Sequence, residues 1–110
     1  MKFVNLTPHI IRIRTAGGDV EIPASGTVAR CAVNSEAETR ETEIGPVRFS
    51  RTTFGVAEGI PAPKDGTVFI TSMIVAQSAG RPDVVSPDSG RDAIRVDGQV
   101  FAVLGFQTFA

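Results

Sequence analysis

The chain has 110 residues, a formal net charge of -1 and a charged fraction of 21%. This length is typical of one domain with one core, so we expect residues 1–110 to form a single domain. The balanced charge excludes an overall basic field that would attract nucleic acid. Trp and Tyr are absent, which further disfavours a nucleic-acid partner because single-strand binding usually needs exposed aromatic platforms.

Cysteine content and hydropathy favour a cytoplasmic protein. Cys31 is the only cysteine, so an intramolecular disulfide is excluded and no oxidising compartment is implied. We find no charged segment followed by an apolar run at the N-terminus, and no apolar run long enough to cross a membrane. We therefore expect a cytoplasmic location and no membrane partner, with Cys31 acting as a small apolar residue inside a strand.

The N-terminal third predicts a β-hairpin. In residues 10–23, "IIRIRTAGGDVEIP", Ile11 and Ile13 share one strand face while Arg12 and Arg14 share the other. The "TAGGD" segment supplies the turn, because its glycines adopt positive φ at little cost. The two arginines favour either an ordinary solvated face or a patch for an acidic partner.

The middle of the chain predicts two strands around a polar segment. Residues 27–33 and 47–54 are typical of strands, whereas residues 34–46 are the most polar stretch and favour an exposed loop or an extended edge hairpin. Residues 55–66 contain three Gly and two Pro, which predicts a loop.

The last part combines a strand, a helix, an irregular loop and a hairpin. We expect a central strand at 67–72 and one short helix at 73–80, closed by Gly80. Residues 81–91 have no secondary-structure period, and residues 92–109 predict a hairpin around Asp97-Gly98. The fold class is therefore mainly β, with about seven short, mostly antiparallel strands in one or two packed sheets and one short helix.

His9 is the only histidine and the first candidate for chemistry. Strand parity aligns it with Ile11 and Ile13, which predicts a side chain on the core side. Two interpretations stay open: a structural core residue, or one wall of a pocket rimmed by Asn5 and Thr7. No Gly-x-Ser-x-Gly motif and no metal-ligand spacing accompanies it, so we expect no enzymatic activity, no metal and no cofactor.

The segment "RPDVVSPDSGR" at 81–91 is the second candidate. The planar guanidinium groups of Arg81 and Arg91 suit phosphate or carboxylate recognition, and Asp83 and Ser86 add hydrogen-bonding groups. The alternative is a solvated loop held by its own Arg–Asp pairs. We expect Arg81, Asp83, Ser86 and Arg91 to bind ligand, with Asn5, Thr7 and His9 lining a neighbouring rim.

Four segments together carry a resemblance to a known family: "FVNLTPHIIRI", "IPASGTVAR", "FGVAEGIPAPKDGTVFITSMIVA" and "RPDVVSPD". The chain resembles a family of small proteins encoded in bacteriophage and prophage genomes, over residue 3 to about residue 92. The resemblance implies a bacterial-host cytoplasm and supplies no activity. Family members often end after an Arg-Asp pair, matched here by Arg91-Asp92, whereas this chain continues to residue 110.

Taken together, these features predict a non-enzymatic phage-encoded binding protein. The resemblance favours sequestration of a small anionic or nucleotide-like ligand, such as an immune signalling nucleotide, by a counter-defence homo-oligomer. One alternative is a protein–protein interaction module that binds and inhibits a host protein. A minor virion or assembly component is another, and an enzyme using His9 as a general base ranks last.

Overall fold

A computed structural model describes residues 1–90 and 92–110. Within them the chain forms β1 (Lys2–Asn5), β2 (Ile11–Thr15), β3 (Gly18–Ile22), β4 (Arg30–Thr42), β5 (Gly45–Glu58), β6 (Thr67–Ile70), α1 (Met73–Ala79), β7 (Val84–Pro87), β8 (Ile94–Val96), β9 (Gln99–Ala102) and β10 (Phe106–Thr108). The prediction of a mainly β fold with one short helix is confirmed. The described residues contain ten strands where about seven were expected, because β1, β7 and β10 were not among the predicted strands.

A four-stranded sheet with the order β1-β6-β7-β10 organises the domain. β1, β6 and β7 run parallel, and β10 runs antiparallel along β7. The parallel register places Asn5 beside Ile70, and Ile70 beside Val85. Three two-stranded antiparallel sheets complete the described residues: β2-β3, β4-β5 and β8-β9.

Apolar side chains bury both faces of the four-stranded sheet. Phe69 and Val84 are directly paired, so they share one face, where they pack with Val75 and Ala76 of α1. Ile70 lies on the opposite face, in a second cluster with residues of the β2-β3 and β8-β9 regions, including Ile11 and Val103. A sheet covered on both faces explains why residues 67–70 are apolar on both parities.

The helix and the two short hairpins follow local sequence signals. The hydroxyl of Ser72 accepts a hydrogen bond from the Val75 amide at 3.4 Å, and Gly80 closes the helix in the left-handed region at φ 58°, as predicted for 73–80. Asp97 and Gly98 have φ values of 52° and 80°, which match the predicted primed turn. No helix in the described part of the chain is long and apolar enough to span a bilayer.

Several boundaries differ from the sequence-based expectations. The 81–91 segment, predicted to be irregular, contains strand β7, which is flanked by β6 and β10. Gly55–Glu58 extends strand β5, so the predicted 55–66 loop begins at Gly59. The predicted 92–109 hairpin ends at Ala102, and β10 then pairs with β7 instead of β8.

Candidate functional site

Asn5 lies at the carboxyl end of β1 and its side chain is almost fully buried, at 1% exposure. Its amide nitrogen donates to the carbonyl oxygens of His9 at 2.7 Å and Ile22 at 3.1 Å. Its oxygen accepts from the backbone nitrogen of Thr7 at 2.9 Å and from the Thr7 hydroxyl at 2.7 Å. Each polar atom of the Asn5 amide group is therefore used within the protein, in shaping the turn between β1 and β2.

His9 lies on the surface, which corrects the prediction that it faces the core. Strand β2 begins at Ile11, so the alternation of that strand does not extend back to His9, and the residue is exposed. The contacts at His9 come from its backbone, whose carbonyl accepts from Asn5 and from the Thr7 hydroxyl. His9 is therefore connected to Asn5 and Thr7 through its backbone carbonyl and not through its imidazole.

Arg81 and Asp83 form a bidentate ion pair ahead of strand β7. The guanidinium nitrogens Nε and Nη2 donate to the two carboxylate oxygens at 2.9 and 2.6 Å, and Nη1 donates to the Pro61 carbonyl at 3.0 Å. This hydrogen bonding to Arg81 lowers the pKa of the Asp83 carboxyl and raises the pKa of Arg81 itself. The pair holds the 59–66 loop against the start of β7. The Arg–Asp pairing that the sequence offered as an alternative is therefore present, but it precedes a strand and does not lie in a solvated loop.

Ser86 is 1% exposed within strand β7, so it does not present its hydroxyl to solvent as a loop residue would. No described residue hydrogen-bonds its Oγ. Ser86 lies beside Gln107 of β10. The remaining predicted binding residue, Arg91, lies outside the described residues.

Of the predicted ligand-binding residues, Arg81 and Asp83 lie at the opposite end of the parallel strands from Asn5, whereas Ser86 follows Val85, which is level with Asn5 through Ile70. Asn5 ends β1, whereas Arg81 and Asp83 precede β7. Because β1, β6 and β7 are parallel, the carboxyl end of β1 and the amino end of β7 lie at opposite ends of the strands. The structure therefore does not bring Asn5, Thr7 and His9 together with Arg81 and Asp83.

The arginines of β2 are also engaged within the domain. Arg14 forms an ion pair with Asp19 at 2.7 Å. Arg12 lies 3.4 Å from Glu21 and places its guanidinium 4.2 Å from the centre of the Phe101 ring. These contacts favour the solvated-face interpretation of Arg12 and Arg14 over a patch for an acidic partner.

Residues 34–46 form the extended hairpin that was one of their two interpretations, and the resulting hairpin of β4 and β5, called here the β4–β5 arm (30–58), is longer than the sequence indicated. Its strands have 13 and 14 residues, and nearly all of their side chains are exposed. The Cα radius of gyration is 17.3 Å, whereas a compact chain of this length has about 13 Å. The arm accounts for this elongation, because it projects from the packed sheet as a two-stranded ribbon.

The arm pairs in continuous register over most of its length. Cross-strand partners run from Val33 and Phe54 to Thr42 and Gly45, after one irregularity near the base. The turn closes with the Thr42 hydroxyl donating to the Gly45 carbonyl at 2.8 Å and with Gly45 at φ 102°. The threonines of both strands and this glycine are the sequence signals that favour the hairpin over the alternative of an exposed loop.

One face of the arm, called here the charged face, bears a shallow groove of about 470 Å³. Glu38 and Arg40 pair there at 2.6 Å, and the Arg40 guanidinium lies 4.7 Å from the centre of the Phe49 ring. Glu36 and Arg51 are cross-strand partners in the same groove. The charged face thus carries the exposed ring of Phe49, which is 41% accessible, next to carboxylate and guanidinium groups.

The opposite face, called here the small face, carries Ser35, Ala37, Thr39, Thr52 and Ser50 in paired positions. Towards the base of the arm it ends in exposed Val33 and Phe54, at 53% and 51%. A cleft there is shared with Ile74 of α1. Strands that expose both faces and both outer edges are typical of surfaces that contact another chain.

Comparison of the chain with protein-family models, with curated proteins and with solved structures finds no match.

Proposed function

We propose that this chain is a non-enzymatic protein–protein interaction module whose binding element is the β4–β5 arm. The observation that carries this proposal is a hairpin with strands of 13 and 14 residues whose side chains are almost all exposed. An isolated two-stranded hairpin is marginally stable in water. A partner that covers the arm supplies the burial that the arm lacks in the single chain.

Exposed apolar side chains on the arm support the same function. Phe54 and Val56, at the base of the hairpin, are 51% and 85% exposed. Ile44, in its turn, is 84% exposed. Burying a large apolar side chain contributes roughly 1.5–3 kcal/mol. A partner that buries these side chains would therefore be stabilised on the arm by contacts at both its base and its turn.

Ligand sequestration stays a prediction from the sequence. Asn5 and Thr7 hydrogen-bond each other, Arg81 and Asp83 pair with each other, and Ser86 is buried. The described contacts therefore favour the alternative function, in which the chain binds a protein. Inhibition of a host protein and assembly into a virion are both compatible with such a module.

Shortening the arm tests the proposal. Deleting residues 35–38 together with 49–52 removes four cross-strand pairs and joins Asn34–Thr53 to Thr39–Arg48 in the original register. We expect the full chain to migrate in native extracts of the producing cell with a mass above that of one chain, and the shortened chain to lose that association. If the shortened chain melts cooperatively and still migrates with the same partners as the full chain, an arm-based interaction is contradicted.

A further inference from the structure

We infer that the partner of the β4–β5 arm is a second copy of this chain, with β4 of one copy paired to β5 of the next in a closed ring. This inference rests on the proposed function and names the partner of the same surface. It follows from three properties of the arm: its two open edges, its charge distribution and its nearly equal strand lengths.

The open edges require two contacts per arm. Within the described residues, β4 and β5 form a sheet of two strands, so each strand presents its outer row of backbone N–H and C=O groups. A single foreign strand would cover one edge and leave the other open. Hairpins that lie side by side in the same direction place each β5 antiparallel to the neighbouring β4, and a ring of them leaves no edge.

The charges make unlike edges complementary and like edges repulsive. On the charged face, β4 contributes Glu36 and β5 contributes Arg51; on the small face, β4 contributes Glu41 and β5 contributes Arg48. No described residue forms an ion pair with these four side chains. Pairing β4 with β4, or β5 with β5, would bring like charges together, whereas β4 against β5 brings unlike charges together on both faces.

The positions along the arm also match. Arg51 lies directly across from Glu36, and Arg48 lies across from Thr39, two residues from Glu41. With a stagger of two residues, of the kind that closure of a barrel requires, a neighbouring hairpin places Glu41 directly across from Arg48 and Glu36 two residues from the position across from Arg51. Since the strands have 13 and 14 residues, one copy covers most of the outer edge of the next. About three or four copies would close a barrel of about six or eight strands, a size known for small closed barrels.

A charge exchange tests this assembly. We expect the purified wild-type chain to have a light-scattering mass of at least about three times 11.6 kDa. The variant Arg48→Glu/Arg51→Glu makes β5 acidic, and the variant Glu36→Arg/Glu41→Arg makes β4 basic. Each variant alone should have the mass of one chain, because its β4 and β5 edges then carry like charges. Their mixture should regain the wild-type mass, because each altered edge then meets its complement. Lys2→Glu/Lys64→Glu, at exposed positions outside the arm, makes the same change of charge as the β5 variant and should leave the mass unchanged.

Several outcomes would overturn the inference: a monomeric or dimeric wild-type chain, an undiminished mass for either arm variant, or a mixture of folded variants that stays monomeric. Hydrogen exchange on the wild-type chain gives a measurement that needs no variant. Outward-facing amides of β4 and β5 should exchange more slowly as concentration rises, and concentration-independent exchange would contradict assembly. The chain could instead be a monomer when purified and associate with a different protein in extracts only when its arm has full length. That result would refute self-assembly and leave the proposed function intact.

Discussion

Asn5 donates a hydrogen bond across 3.1 Å to the carbonyl of Ile22, and so connects the end of β1 to the end of β3. The same side chain holds Thr7 and the carbonyl of His9. We expect Asn5→Ala to lower the free energy of unfolding by about 2–4 kcal/mol, because buried partners lose their hydrogen bonds. Thr7→Val, which removes only a hydroxyl, should cost about 1 kcal/mol. Urea denaturation measures both, and equal losses would contradict a central role for Asn5.

The Arg81–Asp83 pair should make stability depend on pH. Pairing lowers the pKa of Asp83 in the folded chain, so its contribution is present above the unfolded pKa of about 3.9 and is lost as pH falls through the lower folded value. We expect Asp83→Asn to reduce stability by about 1 kcal/mol at pH 7. The gap between variant and wild type should shrink at acidic pH. Chemical denaturation across pH 2–7 measures the gap, and a constant difference would exclude the ion pair as its cause.

Ser86 offers a substitution expected to be harmless. Its buried hydroxyl has no hydrogen-bond partner among the described residues, and an unsatisfied buried polar group destabilises a fold. Ser86→Ala should therefore leave the unfolding free energy unchanged or raise it by up to about 1 kcal/mol. Thermal and urea unfolding give the value. A loss above about 1 kcal/mol would show that the hydroxyl is hydrogen-bonded in the folded protein.

Gly59 lies where the arm returns to the domain, at φ 87°. A Cβ there would lie 3.1 Å from the Val28 carbonyl oxygen, so Gly59→Ala adds a steric clash to the cost of a positive φ. Gly26→Ala is a matched control, because its φ is 99° and a Cβ there meets nothing within 4 Å. We expect roughly 1–2 kcal/mol for the control and a larger loss for Gly59→Ala, measured by denaturation. Equal losses would mean that the backbone at Val28 moves aside freely.

Local signals predicted the elements that depend on neighbouring residues. The Ser72 cap and Gly80 delimit α1, and the alternation of Ile11 and Arg12 indicates the first hairpin, because capping and strand alternation are short-range effects. Strand β7 escaped prediction because Val84 and Val85 are stabilised by β6 and β10, which are distant in sequence. Pro, Ser and Asp on either side gave the segment the composition of a loop.

The candidate site was harder to predict for a related reason. Asn5 was predicted to line the rim of a ligand pocket, and its hydrogen bond to the Ile22 carbonyl was not foreseen, because Ile22 belongs to a strand that no local pattern connects to β1. The Arg81–Asp83 pair was part of one of two interpretations of its segment, and no local pattern indicated that Arg81 also donates to the Pro61 carbonyl. The arm lacks an apolar face, so the alternation that reveals a half-buried strand is missing from residues 34–42.

The parallel pairing of β1 with β6 sets an order on how the chain can fold during synthesis. Lys2 pairs with Thr67, so β1 stays unpaired during synthesis until β6 has left the ribosome. The β2-β3 hairpin and the arm need only neighbouring residues and can form earlier, whereas joining β1 to β6 requires closing a long loop. Residues 2–5 are therefore exposed to non-native pairing longer than any other described strand, and β6 is the strand that covers their paired edge.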